Sequence, residues 1–206
     1  MNTRDRILVA ALRLFNEDGV AKVSTNRIAA ELEMSSGNLH YHFKSKEQLV
    51  EWLFRRLESE LKPFTESSAS LSALDDVWLA LHLTFEVIEK YRFCYTDIDY
   101  LIREYPKFGE RIQKMTLASI EAVRAMCQNL AQTGVIRVDG DEIDSLAFQI
   151  VFTATCWSTF TKLVGRKSAD TSAPALAAYH VLTLLSPYLA DDARHYMNYL
   201  RSKYLK

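Results

Sequence analysis

Apolar positions recur at helical spacing from close to the start of the chain. Ile7, Leu8, Ala11, Leu12 and Phe15 share one face of a predicted amphipathic helix. Thr3 is an acceptable N-cap for it, and Asp18-Gly19 closes it, glycine taking a left-handed cap without steric cost. A second helix opens at Ser24 or Thr25 and runs to about Glu33, with Ile28, Ala29 and Leu32 inward. After Met34-Ser35 the pattern predicts a very short third helix, about 36–42, closed by Phe43. Ser45-Lys46-Glu47-Gln48 then has the form of a capping box, with Ser45 and Gln48 each able to satisfy the other's free N–H. The fourth helix carries its stripe on Leu49, Val50, Leu53, Leu57 and Leu61 up to Pro63, and 63–72, with Thr65 and four serines, reads as a linker.

Helical spacing resumes over 72–91, with Leu74, Val77, Trp78, Leu81, Phe85 and Ile88 on one side, and again near 94–104. Pro106 suits the first turn of a helix over 106–133. Val135-Ile136-Arg137-Val138 is too short and isolated for a sheet and reads as a loop. Asp141 is placed to cap a long helix, 142–164; a loop, 165–172, leads to a last helical region, 173–204, which Pro187 bends or breaks. With 206 residues, 49% of them hydrophobic, and only six Gly and four Pro, the chain can bury a sizeable core and run helical over most of its length. The expected fold is all-α: a three-helix N-terminal domain over 1–46, then a helical domain over 47–206.

Charge narrows the function. The net charge is -1, so no general basic balance favours nucleic acid, and any DNA-binding charge must be local. Residues 34–46 supply it, with Lys44, Lys46, His40 and His42 and no acid. Cys94, Cys127 and Cys156 fit neither a zinc spacing nor a CxxC pair and read as reduced thiols of a cytoplasmic protein. The N-terminus lacks the apolar run of a signal peptide. Segment 143–161 comes closest to a membrane span, but Asp144, Gln149 and several Ser and Thr interrupt it, so no membrane role is expected.

One longer helix followed by two short ones across a tight turn is the helix-turn-helix plan, in which the second short helix enters a major groove about 12 Å wide. The small Ala29 suits the crossing of the two helices, and Ile28, Leu32, Met34, Leu39 and Phe43 can hold them together. Asn26, Arg27, Ser36, Asn38 and His40 are candidates to meet base edges, since Asn pairs well with adenine and Arg with guanine. Gly37 would let the backbone approach a DNA strand, and the Ser35 hydroxyl can cap the recognition helix. His40 and His42 point about 200° apart on a helix and do not make a metal pair. No metal site, cofactor or catalytic set is expected: there is no Ser-His-Asp combination, phosphate loop or HExxH. His82, His180 and His195 read as surface or satisfied residues. The reading is therefore of a regulator, with an all-helical enzyme or ligand carrier as its rival.

The stretch from Ser24 to Leu49, with Thr25 before Ile28-Ala29, then Ser35-Ser36-Gly37-Asn38-Leu39, His40-Tyr41-His42-Phe43 and Lys46-Glu47-Gln48-Leu49, resembles the TetR family of bacterial regulators. The likeness extends back over Arg6 to Gly19. One position departs: the turn residue before Met34 is usually Gly in that family and is Glu33 here, where a left-handed conformation would cost about 1–2 kcal/mol. The resemblance implies phosphate contacts from Thr25, Tyr41, His42 and Lys46; packing of Tyr41 under the first helix is the alternative for that ring. It also implies a homodimer on double-stranded operator DNA.

A single half-site reader has too little contact to be specific, which calls for a dimer surface. The largely apolar stretches at about 142–164 and 174–189 are the places for it. The resemblance further implies a pocket for a small apolar effector. Trp78, His82, Phe85, Tyr100, Arg103, Phe148, Gln149, Phe152 and Trp157 are the candidates, being mainly aromatic with a few polar groups. Tyr91-Arg92-Phe93-Cys94-Tyr95-Thr96-Asp97 resembles a stretch found in one subgroup of these regulators. A repressor released by its effector is the expected mechanism, with an activator lacking an effector as the alternative.

Overall fold

The computed structural model describes residues 2–165 and 173–204, which leaves all but Gly165 of the expected 165–172 loop outside the described residues. The described residues are helical: α1 (Thr3–Asp18), α2 (Thr25–Glu31), α3 (Ser36–His42), α4 (Lys46–Ser67), α5 (Leu74–Lys90), α6 (Phe93–Thr96), α7 (Ile98–Glu104), α8 (Pro106–Gln132), α9 (Gly140–Leu163), α10 (Ala173–Leu185) and α11 (Asp191–Tyr204). The chain divides into two compact units. The first holds residues up to Glu60 together with Tyr91–Gln113, and the second holds Leu61–Lys90 with the rest from Lys114.

In the first unit, Ile7, Leu8, Ala11, Leu14 and Phe15 are the buried face of α1, which packs on α2; α2 in turn packs on α3, and the two contribute Ile28, Ala29 and Leu39. α4 adds Leu49, Val50, Leu53, Phe54 and Leu57. Residues 91–113 complete this core from far along the chain. Phe93 packs its ring 5.4 Å from that of Phe15, and Phe108 lies 4.7 Å from Phe54. Polar ties reinforce the apolar ones: the Phe93 N–H donates to Asn16 Oδ1 at 3.0 Å and the Tyr91 hydroxyl to Glu60 at 2.7 Å. This unit reaches past residue 46, to Glu60, and takes in Tyr91–Gln113.

The second unit is built on α10, whose Ala175, Ala177, Ala178, Tyr179, Val181, Leu182 and Leu185 are buried among α5, α9 and α11. An apolar helix enclosed on several sides needs no polar face. Most of the apolar surface of 174–189, expected at a dimer seam, is thus taken up within the chain. α9 differs: it buries Ile143, Leu146, Ala147, Ile150 and Val151 but leaves Phe148, Phe152, Phe160, Leu163 and Val164 more than half exposed.

Several local expectations shift. Asn2, not Thr3, caps α1 by accepting from the Asp5 N–H at 2.8 Å, and Asp139, not Asp141, caps α9 in a capping box with Glu142. Ser45 accepts from the Gln48 N–H at 3.3 Å as expected, but Gln48 Oε1 reaches back to the Lys44 N–H at 2.8 Å, one residue further. The linker at 63–72 is mostly helical: α4 runs through Pro63 to Ser67 and a 3₁₀ turn follows. Pro63 is exposed, and the hydroxyls of Thr65 and Ser67 donate to the carbonyls of Lys62 and Pro63. Residues 93–104 form two helices rather than one. Residues 135–138 make an isolated bridge, Ile136 to Leu189, with no strand.

Candidate nucleic-acid interface

The two short helices are set by their caps. Ser24 Oγ accepts from the Arg27 N–H and Ser35 Oγ from the Asn38 N–H, each at 3.2 Å, which fixes where α2 and α3 begin. Ile28 and Leu39 have no exposed surface and Ala29 only 2%, so the helices meet across small and aliphatic side chains.

The turn between them is a Schellman motif. The Met34 N–H donates to the Ala29 carbonyl at 3.0 Å and the Glu33 N–H to the Ala30 carbonyl at 3.1 Å. Such a motif places one residue in the left-handed region, and that residue is Glu33, at φ 53°. No other non-glycine residue among those described has a positive φ. The departure at this position is therefore a strained residue inside an otherwise ordinary turn geometry.

With Leu39 inward, α3 presents Ser36, Gly37, Asn38, His40 and Tyr41 to solvent, and α2 presents Asn26 and Arg27, with Thr25 and His42 half-buried beside them. Tyr41 is 76% exposed, so it does not pack under α1; its ring meets His42 edge-on at 5.2 Å. A Cβ on Gly37 would meet nothing closer than Ser35 Oγ at 4.0 Å, so the fold of the chain itself does not demand glycine there. The cations around this surface are partly engaged. Arg13 pairs with Glu17 and Glu31, and Arg27 reaches Asp18 at 2.6 Å. Lys46 turns into its own unit, donating to the Val20 carbonyl at 2.9 Å and the Tyr100 hydroxyl at 3.3 Å.

Residues 91–105 support this surface in a way the sequence did not disclose. Asp97 accepts from the Val20 N–H at 2.6 Å and lies against Gly19, which ends α1 at φ 84°. Tyr100, expected in an effector pocket, lies instead in this unit beside Lys46 and Tyr105. Arg103, likewise expected in a pocket, belongs to this unit and is exposed next to Glu104. The Tyr105 hydroxyl is pushed above the ordinary tyrosine range by burial and by Tyr100. The stretch from Tyr91 to Asp97 is distinctive as a sequence, but its role depends on contacts more than 70 residues away, which local patterning cannot show.

In the second unit a cavity of about 600 Å³ is lined by Phe152, Thr153, Cys156, Trp157, Phe160, Thr161, Val164 and His180. Of the expected pocket residues, Phe152 and Trp157 line it. Phe85 reaches Trp157 with ring centroids 6.1 Å apart, while Trp78 and His82 stack on each other at 5.2 Å. Phe148 and Gln149 face outward from α9. No helix among the described residues is long and apolar enough to cross a membrane.

A family model described as bacterial regulatory proteins, tetR family, matches residues 7–53, and one described as bacterial transcriptional repressor, TetR, matches 54–197. The chain belongs to the TetR family. A TetR-family transcriptional regulator from Marinobacter aquaeolei VT8 has the same fold over 99% of both chains, at a TM-score of 0.88 and 30% identity. The TetR-family regulator PfmR from Thermus thermophilus shares the fold at a TM-score of 0.66 over 88% of this chain and 98% of its own, with 21% identity. An HTH-type transcriptional regulator of Staphylococcus aureus (strain bovine RF122 / ET3-1) is 33% identical over 103 residues, half of this chain and 48% of that protein. The chain thus matches about half the length of that curated relative. It is a DNA-binding transcriptional regulator of that family.

Proposed function

We propose that the protein is a repressor that binds a two-fold symmetric operator as a homodimer and is released by a small apolar effector. The observation that carries the reading is the polar outer face of α3, held over a fully buried Leu39 and flanked by the exposed Tyr41. Asn26, Arg27, Ser36, Asn38 and His40 meet base edges, Thr25, Tyr41 and His42 meet phosphates, and Gly37 gives the strand room to approach. Arg27 must exchange Asp18 for a base to do so, an exposed pair whose loss costs little. The uncovered face of α9, from Phe148 to Leu163, supplies the dimer surface, because an apolar row this exposed is unusual on a monomer, and Phe152 and Phe160 of that row also border the cavity. The cavity lined by Phe152, Trp157, Phe160 and His180 is of a size that holds small ligands and is largely apolar, which favours an apolar effector there.

Selection of bound duplexes from a random DNA library tests the reading. The expected result is an enriched palindrome whose half-sites lie one helical turn or a multiple apart. His42→Ala should weaken binding to the enriched duplex and to unrelated DNA alike, since a phosphate contact carries no sequence information. A library that yields no enriched sequence would overturn the assignment.

A further inference from the structure

Another cavity, of about 490 Å³, lies within the first unit, between the first turns of α4 and the start of α8. It shares no lining residue with the cavity of the second unit. Its volume is in the range that holds small molecules. Its apolar wall is the half-buried Tyr105 together with Val50, Phe54 and Phe108, which are buried.

The charged groups on the wall are of two kinds. Glu51, Arg55 and Arg111 are already neutralised. Arg55 reaches Glu51 at 2.6 Å, and Arg111 lies 3.9 Å from Glu51 and pairs more closely with Glu58. The Arg111 guanidinium also sits 5.1 Å over the Phe54 ring, which fixes it further. These two cations and two carboxylates present no net charge to a ligand. Glu47 and Lys107 differ. Both line the cavity, both are exposed, and neither has an ion pair among the described residues. They border one cavity yet do not pair with each other. The opening thus offers one carboxylate and one ammonium beside an aromatic wall. A ligand with a single charge would satisfy one of the two and face the other with the same sign. A ligand with an ammonium and a carboxylate on one carbon can meet both, and an aromatic side chain on that carbon can cover the wall.

We propose that this cavity binds a small zwitterion with an aromatic side chain, a free amino acid of the phenylalanine type, its ammonium taken by Glu47 and its carboxylate by Lys107. Glu47 stands in the first turn of α4, just beyond Phe43, which closes α3. The ligand is then held in the unit that carries α3, and not in the cavity proposed for the apolar effector.

Isothermal titration calorimetry on the full chain, without DNA and at low ionic strength, tests this with three probes. They are L-phenylalanine, phenethylamine, which lacks the carboxylate, and 3-phenylpropanoate, which lacks the ammonium. L-phenylalanine should bind, and each of the other two should bind about fivefold more weakly, which is the upper worth of one exposed ion pair. Glu47→Gln should weaken L-phenylalanine about fivefold and leave 3-phenylpropanoate no weaker. Lys107→Gln should weaken L-phenylalanine and 3-phenylpropanoate and leave phenethylamine no weaker. A purely structural role of either side chain would move all three probes together, and that result overturns the assignment. So does the absence of L-phenylalanine binding at millimolar concentration, equal binding of the three probes, or binding that both variants leave unchanged. Circular dichroism checks that each variant is folded, and if Glu47→Gln is not, the three probes on Lys107→Gln decide. The titration uses no DNA, so its failure leaves the reading of α3 untouched.

Discussion

Replacing Glu33 by glycine should stabilise the protein. Glu33 is exposed, sits in the left-handed position of the Schellman turn at φ 53°, and has no ion pair or side-chain hydrogen bond among the described residues. A side chain in that conformation costs about 1–2 kcal/mol, which glycine avoids. Glycine loses more backbone freedom on folding, and this takes back about 0.5–1 kcal/mol. At mid-range values the net gain is about 0.75 kcal/mol, equivalent to a rise of roughly 1.5–3 °C in Tm for a chain of this size. Differential scanning calorimetry at neutral pH measures it. Two controls separate backbone relief from charge. Glu33→Ala retains a Cβ in the same conformation and should gain nothing, and Glu33→Gln removes the charge alone and should behave as the wild type. A Tm for Glu33→Gly at or below the wild-type value, or an equal rise in Glu33→Ala, would refute the argument from backbone strain.

Other outcomes follow from the same geometry. Gly19→Ala combines a side chain at φ 84° with a Cβ only 3.0 Å from Asp97 Oδ2, and should lose about 2–4 kcal/mol as strain adds to a displaced hydrogen bond, read from urea unfolding. Burial raises the thiols of Cys94 and Cys127, the latter to about 12, so both stay protonated at pH 8 and unreactive in the native protein. Cys156, less buried and lining the cavity, should be the first labelled by a thiol reagent, and a ligand in the cavity should slow that labelling. Phe148→Asp on the open face of α9 should shift the protein toward monomer in analytical ultracentrifugation while leaving helicity intact; an unchanged dimer would place the seam elsewhere.

The two short helices of the candidate interface were legible because their signals are local. Ser24, Ser35 and Phe43 mark the ends of α2 and α3 within one turn, and the inward Ile28 and Leu39 follow from spacing. Glu33 was legible as an anomaly for the same reason. What escaped was set by distance. Asn16 to Phe93 and Val20 to Asp97 each span 77 residues, so nothing near Asp97 or Tyr100 announces that they brace the first helices. Pro63 misled for a different reason: its helix-breaking tendency is a local rule, but Leu57 and Leu61 stay buried on the turns that precede it and the serine hydroxyls satisfy carbonyls beyond it. α9 and α10 both read as apolar, and only the packing shows that one is enclosed by its neighbours and the other keeps an open face.

The discontinuous make-up of the first unit bears on how such a protein can be rebuilt. A chimera carrying residues 1–46 on another helical domain would expose Phe15 and Val20, which Phe93 and Asp97 normally cover and tie. A transplantable first unit needs two separate stretches of chain, one ending near Glu60 and one starting at Tyr91. Whatever is inserted between them must bring those two ends back to the same place.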